Sequence, residues 1–133
     1  MPRAAVNSSA YSVPVEGFTQ ATRTPAAGDL ICVSGVTARD AEGAVVGEGD
    51  IRAQTHQVMR NLRGLIEDAG GTLDDVIRIV TYLRDVDDLM VVHQIRGEYF
   101  GETPPASTSV GVTRLFDPRQ LIEIEAMAIV AAR

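Results

Sequence analysis

The groups in this chain best suited to proton chemistry lie in its last alternating segment, LIEIEAMAIV. Its even positions, Ile122, Ile124, Ala126, Ala128 and Val130, are all apolar and define a core-facing side of a strand. Its odd positions, Leu121, Glu123, Glu125, Met127 and Ile129, mix two carboxylates with large apolar groups. A sheet face turned to water is ordinarily polar throughout. The mixture is explained economically if other copies of the chain cover that face. Glu123 or Glu125 would then sit at a subunit interface, where a carboxylate must be hydrogen-bonded or gains proton affinity. Such a group can serve as a general base. A solvated or arginine-paired glutamate on a sheet rim is the competing reading, and periodicity leaves both open.

The preceding segment, ASTSVGV, puts Ser107, Ser109 and Gly111 on one face. Small side chains leave room and expose backbone N–H groups, so a water could sit there if this face lies beside Glu123. Equally, small residues let two sheets approach closely. His93, Arg96 and Phe100 form a stripe at helical spacing next to the apolar positions Leu89, Val92, Ile95 and Tyr99. An exposed, salt-bridged arginine is the expected state of Arg96, with a carboxylate clamp as the alternative. His56, among arginines on an earlier helix, is expected only to occupy a surface position.

Other chemistries are excluded by composition. All 12 basic residues are arginine, so no lysine can form a Schiff base or serve a Walker A loop. A net charge of −6 argues against a nucleic-acid surface. One cysteine and two histidines do not make up a structural zinc site, and no carboxylate metal motif occurs. Cys32 reads as a buried small hydrophobe in the strand LICVSG. No signal-peptide core or membrane-spanning run is present, which makes the cytoplasm the expected compartment.

The elements that must position these groups fit one domain spanning residues 1–133. GFTQATR and DLICVSG read as strands, the second apolar on both faces and so expected to be buried on both. Asp50 caps a helix from Ile51 to about Ala69, with Val58, Leu62, Leu65, Ile66 and Ala69 as its buried stripe. Gly70-Gly71 ends it, and Thr72 with Asp75 resembles a capping box. VIRIVTYLR reads as a strand with Ile77, Ile79, Thr81 and Leu83 on one face. Asp85 or Asp87 caps a second helix running to about Phe100. A last hairpin is expected from Ala106–Leu115 and Leu121–Ala131. The order β-β-α-β-α-β-β predicts an α+β domain with one sheet and both helices on one face.

Taken in order, FTQATR, DLICVSG, AQTHQVMRNLRGLIEDAGGTLDDVIRIVTYLRD, PPAST and IEIEAMA resemble the Rid (YjgF/UK114) family from about Phe18 to Val130. The resemblance implies a fold similar to chorismate mutase of the AroH type, a homotrimer, and clefts between subunits. It also implies hydrolysis of reactive enamines and imines to a keto acid and ammonia without metal or organic cofactor. On this pattern the catalytic glutamate is Glu123, helped by the backbone at Ser109, where the family has cysteine. Ser34 and Gly35 keep the family's SG pair. The family's tyrosine falls on Phe18 and its asparagine on His93. The arginine that clamps the substrate carboxylate falls on Ser107. A bidentate charged contact of that kind is worth about 2–5 kcal/mol. The expected function is therefore an enamine or imine deaminase whose substrate differs from, or is broader than, 2-aminoacrylate. Phe18, Ser34, Gly35, His93, Arg96 and Ser107 would bind that substrate. A trimer that binds a small molecule without chemistry is the alternative, and a scaffold subunit the third possibility. Membrane and nucleic-acid partners are not expected.

Overall fold

The structure is a computed structural model and describes residues 3–11 and 17–132. Three strands precede the first helix, β1 (Ala4–Val6), β2 (Ala21–Arg23) and β3 (Asp29–Val36). They are followed by α1 (Ile51–Asp68), β4 (Val76–Leu83), α2 (Leu89–Phe100), β5 (Ala106–Gly111) and β6 (Ile122–Val130). Strands β1 and β2 form a separate antiparallel ribbon, so there are two sheets where one was expected, and β1 was not anticipated. A three-residue strand is too short to show a period. Arg3 anchors the ribbon's start by donating to the carbonyls of Leu73, Val76 and Phe100.

The main sheet has the order β3-β6-β4-β5. Strands β5 and β6 are therefore not a hairpin. β5 lies parallel to β4 at the sheet edge, and β6 runs antiparallel between β3 and β4. The connection over residues 112–121 crosses instead of turning tightly. In it Asp117 accepts from both Arg39 and Arg119, which hold its carboxyl well below the usual carboxylate range.

Local signals explain both helices. Asp50 accepts from the Ala53 N–H at the start of α1, and Gly70 just beyond its end takes φ +93°. Thr72 and Asp75 complete a reciprocal capping box around the single turn Leu73–Asp75. Asp85 caps another single turn, Val86–Asp88, which runs into α2. Both helices lie on one face of the main sheet. Val58, Leu62, Ile66 and Val92 meet Ile79, Leu83, Ile122, Ile124 and Ala126 in one core. Leu65 departs from the expected stripe and is 49% exposed, while Gln54, Thr55 and Met59 are buried instead. Gln54 is compensated by bonds to the Arg119 carbonyl and the Leu121 N–H. No helix among the described residues is long and apolar enough to cross a membrane.

Among the described residues no helix covers the other face of the sheet. Leu30 on it is 57% exposed, and Cys32, expected inside, is exposed as well. Strand β3 is thus covered on one face only within a single chain. Ile31 and Val33 pack against the core, and Leu30 and Cys32 share the uncovered side with their register partners Ile129 and Met127.

Candidate active site

The predicted site residues fall into two groups on opposite faces of the main sheet. Glu123 alternates with the buried Ile122 and Ile124, so its half-buried side chain points to the uncovered face. Ser34 and Gly35 belong to the neighbouring strand β3, whose register with β6 shifts between Val33 and Val36. That irregularity brings Gly35 against Glu123, where a Cβ on residue 35 would overlap the carboxylate Oε2. Tyr82, opposite Glu123 in the β4–β6 register, donates its hydroxyl to Glu125 Oε2 at 3.2 Å. Burial, and then the charges of Glu125 and Glu123, raise the Tyr82 phenol above its ordinary value.

The second group faces the helices. Thr81 is fully buried on the core side of β4, and Ser109 is its partner on β5. Arg96 Nη1 donates to Thr81 Oγ1 at 2.7 Å and reaches Ser109 Oγ at 3.4 Å. Ser107, two residues along on the same face, lines a half-open groove of about 740 Å³ together with Phe18, Ile79, His93, Arg96 and Phe100. The Phe18 and His93 rings stack with centroids 4.0 Å apart and planes 6° from parallel. Gly17, at φ +82°, lets the backbone pass so close that a Cβ there would lie 2.8 Å from His93 Nε2.

The edge position of β5 matters for chemistry. The Val112 N–H donates to the Leu83 carbonyl, toward β4. Alternation along the strand turns the N–H groups of Thr108 and Val110 the same way. Those of Ser107 and Ser109 consequently point out to the free edge. The Ser107 side chain thus lines the groove, and the amides of Ser107 and Ser109 form a rim of donors at the edge.

Three expectations need correction. The Ser107 and Ser109 face does not lie beside Glu123 within one chain, because β4 intervenes and Glu123 points the other way. Arg96 is not an exposed, salt-bridged residue. It is 3% exposed, and no carboxylate pairs with it among the described residues. Burial alone lowers its guanidinium to about 10. Sequence spacing placed Arg96 beside the apolar stripe but could not show that Thr81 would offer it a hydroxyl. His56, half-buried, is also more than a surface position, since its Nδ1 lies 2.8 Å from the Tyr99 hydroxyl and links the two helices. No group of three or more His, Cys, Asp or Glu among the described residues could hold a metal ion.

The sequence profile of the family described as Endoribonuclease L-PSP matches residues 9–130. A RutC family protein of Pyrococcus abyssi is 38% identical over 116 residues, covering 86% of this chain and 87% of its own length. The 3-aminoacrylate deaminase RutC of Acinetobacter baylyi is 35% identical over 128 residues, 96% of this chain and 98% of its own. A solved Rid-family protein of unknown function from Yersinia pestis superposes with a TM-score of 0.87 at 36% identity, covering 98% of this chain and all of its own. The chain belongs to the Rid (YjgF/UK114) family. Within that family it has a deaminase among its relatives.

Proposed function

We propose that the protein is a homotrimeric enamine or imine deaminase acting at clefts between subunits, cofactor-free, on a small reactive substrate. The observation that carries this reading is the separation of the candidate site into two open halves. The Glu123 and Gly35 corner lies on the uncovered sheet face, and the groove with its rim of amides lies on the helix side and edge. Assembly of copies is the arrangement that lets the carboxylate of one subunit meet the groove of the next. The exposed apolar face around Leu30 and Val110 supports such an assembly.

In this reading Glu123 accepts a proton from water as the water oxygen bonds to the imine carbon. The N–H groups at the β5 edge, Ser109 foremost, hold the water or the oxygen that develops charge. The protonated Glu123 then returns its proton to nitrogen, giving a carbinolamine. Glu123 next carries the hydroxyl proton to the amino nitrogen, the C–N bond breaks as the C=O bond forms, and ammonia and a carbonyl compound leave. An enamine first takes a proton at its β-carbon and gives one up from nitrogen to reach the same imine. His93, stacked on Phe18, and Ser107 contact the substrate from the groove. A nuclease activity, which the family's description carries, fits poorly with a net charge of −6 and the absence of lysine.

Ammonia release from chemically generated imines and enamines tests the proposal. Wild type should release it well above background, and Glu123→Gln should lose at least about 100-fold in rate with its assembly intact. Equal activity in the variant would remove Glu123 from the mechanism. Binding without turnover across a broad panel would favour a ligand-binding trimer.

A further inference from the structure

We propose that Arg96 is an anion anchor, receiving a carboxylate of the ligand in the groove between α2 and β5 with the Ser107 hydroxyl as its second donor. The inference deepens the deaminase reading and rests on it for the reaction, but the binding claim stands on the geometry of the groove.

The arginines of this chain show what an ordinary structural role looks like. Arg39 and Arg119 pair with Asp117. Arg3, also buried, donates to three backbone carbonyls. Arg96 does neither. Its partners are two neutral hydroxyls, both reached by Nη1, and Nε and Nη2 make no bond among the described residues. A buried cation without an opposite charge is unfavourable unless something compensates it.

The second observation lies beside it. Ser107 Oγ is buried with no hydrogen-bond partner among the described residues, an uncommon state for a hydroxyl. It lines the same groove as Arg96. A guanidinium with donors unused among the described residues and an unpaired hydroxyl thus line one groove, a pairing suited to a planar, singly charged oxyanion. The stacked Phe18 and His93 form an aromatic wall beside these groups, and Ile79 and Phe100 supply apolar surface. One guanidinium and one hydroxyl match a carboxylate better than a phosphate dianion, which calls for more donors.

The anchor also explains how the groove manages with serine at position 107. The cation comes from the helix rather than the strand, fixed from behind by Thr81. The ligand is then a small 2-imino or 2-enamino acid, or the keto acid it yields.

The test is titration of the assembled protein with 2-oxobutyrate and with its uncharged primary amide, followed by calorimetry. Wild type and Glu123→Gln should bind the acid at least about 10-fold more tightly than the amide. Arg96→Gln should lose about 30-fold or more for the acid with little change for the amide. Ser107→Ala, which removes a hydroxyl with no hydrogen-bond partner among the described residues, should fold normally and lose about 3- to 10-fold for the acid. Equal affinity for acid and amide in wild type overturns the anchor, as does acid binding left unchanged in both Ser107→Ala and a folded Arg96→Gln. Should Arg96→Gln not fold, undiminished acid binding in Ser107→Ala overturns the shared site by itself. Failure of the deaminase reading looks different, since ammonia release would be absent while the preference for the acid persisted. Release equal for acid and amide imines, with no preference in binding, would leave the deaminase and remove the anchor.

Discussion

The carboxylate of Glu123 occupies the space that a side chain on Gly35 would need, so the two residues form one unit across β3 and β6. Gly35 is not among the glycines held at positive φ, and alanine is allowed there by the backbone. Its methyl group would instead displace the Glu123 side chain. Gly35→Ala should therefore lower kcat about 10- to 100-fold, the scale of effect when a reacting group moves by about 1 Å. Global stability should change little. Steady-state ammonia release beside a thermal melt checks this, and full activity in a folded variant would show that Glu123 does not work from its present position.

Much of this arrangement was legible in the sequence, for identifiable reasons. Alternation in β6 placed Glu123 opposite the core, because strand periodicity depends on local geometry alone. The caps at Asp50 and Thr72 were equally local. Strand pairing was not local. Ala106–Gly111 and Ile122–Val130 are consecutive strands, yet β4 inserts between them. Nothing in either segment reports a parallel partner 28 residues upstream, as in Arg78 opposite Ala106. That error carried the serines to the wrong neighbour. The state of Arg96 was hidden for the same reason, since its burial depends on Thr81, which only the tertiary fold brings near.

Because the two halves of the site lie on opposite faces, two inactive variants should rescue one another. Glu123→Gln removes the carboxylate, and Ser107→Trp fills the groove. If each cleft takes its glutamate from one subunit and its groove from the next, an equal mixture refolded together should recover about a quarter of the sites. Ammonia release from mixtures, with native mass spectrometry to confirm mixed assemblies, reads this directly. No recovery in confirmed mixtures would place both groups of a working site in one chain.

The Tyr82 phenol gives a pH-dependent test of the uncovered face. Its folded value is raised above 10.0 by burial and by the charges of Glu125 and Glu123. The unfolded chain thus loses this proton first as pH rises, and the unfolded state binds fewer protons than the folded one. Stability should fall from about pH 10 upward until the folded phenol also ionises. Tyr82→Phe should flatten that decline in urea midpoints measured from pH 8 to 11. Glu125→Gln should shift the ultraviolet titration of Tyr82 to lower pH, and an unmoved titration would show that the carboxylate does not act on it.

Thr81 tests what holds Arg96 in place. Its hydroxyl is fully buried and accepts the shortest bond Arg96 makes, at 2.7 Å. Valine has nearly the same shape, so Thr81→Val leaves no cavity and removes only the acceptor. A buried donor left without a partner costs about 1–3 kcal/mol, more when charged. The variant should therefore unfold at a lower urea midpoint with an unchanged m-value. A ligand carboxylate reaching the same guanidinium would replace part of what was lost. Saturating 2-oxobutyrate should accordingly raise the midpoint of Thr81→Val by more than simple mass action raises that of wild type. An equal shift in both proteins would mean that Thr81 and the ligand do not meet through Arg96.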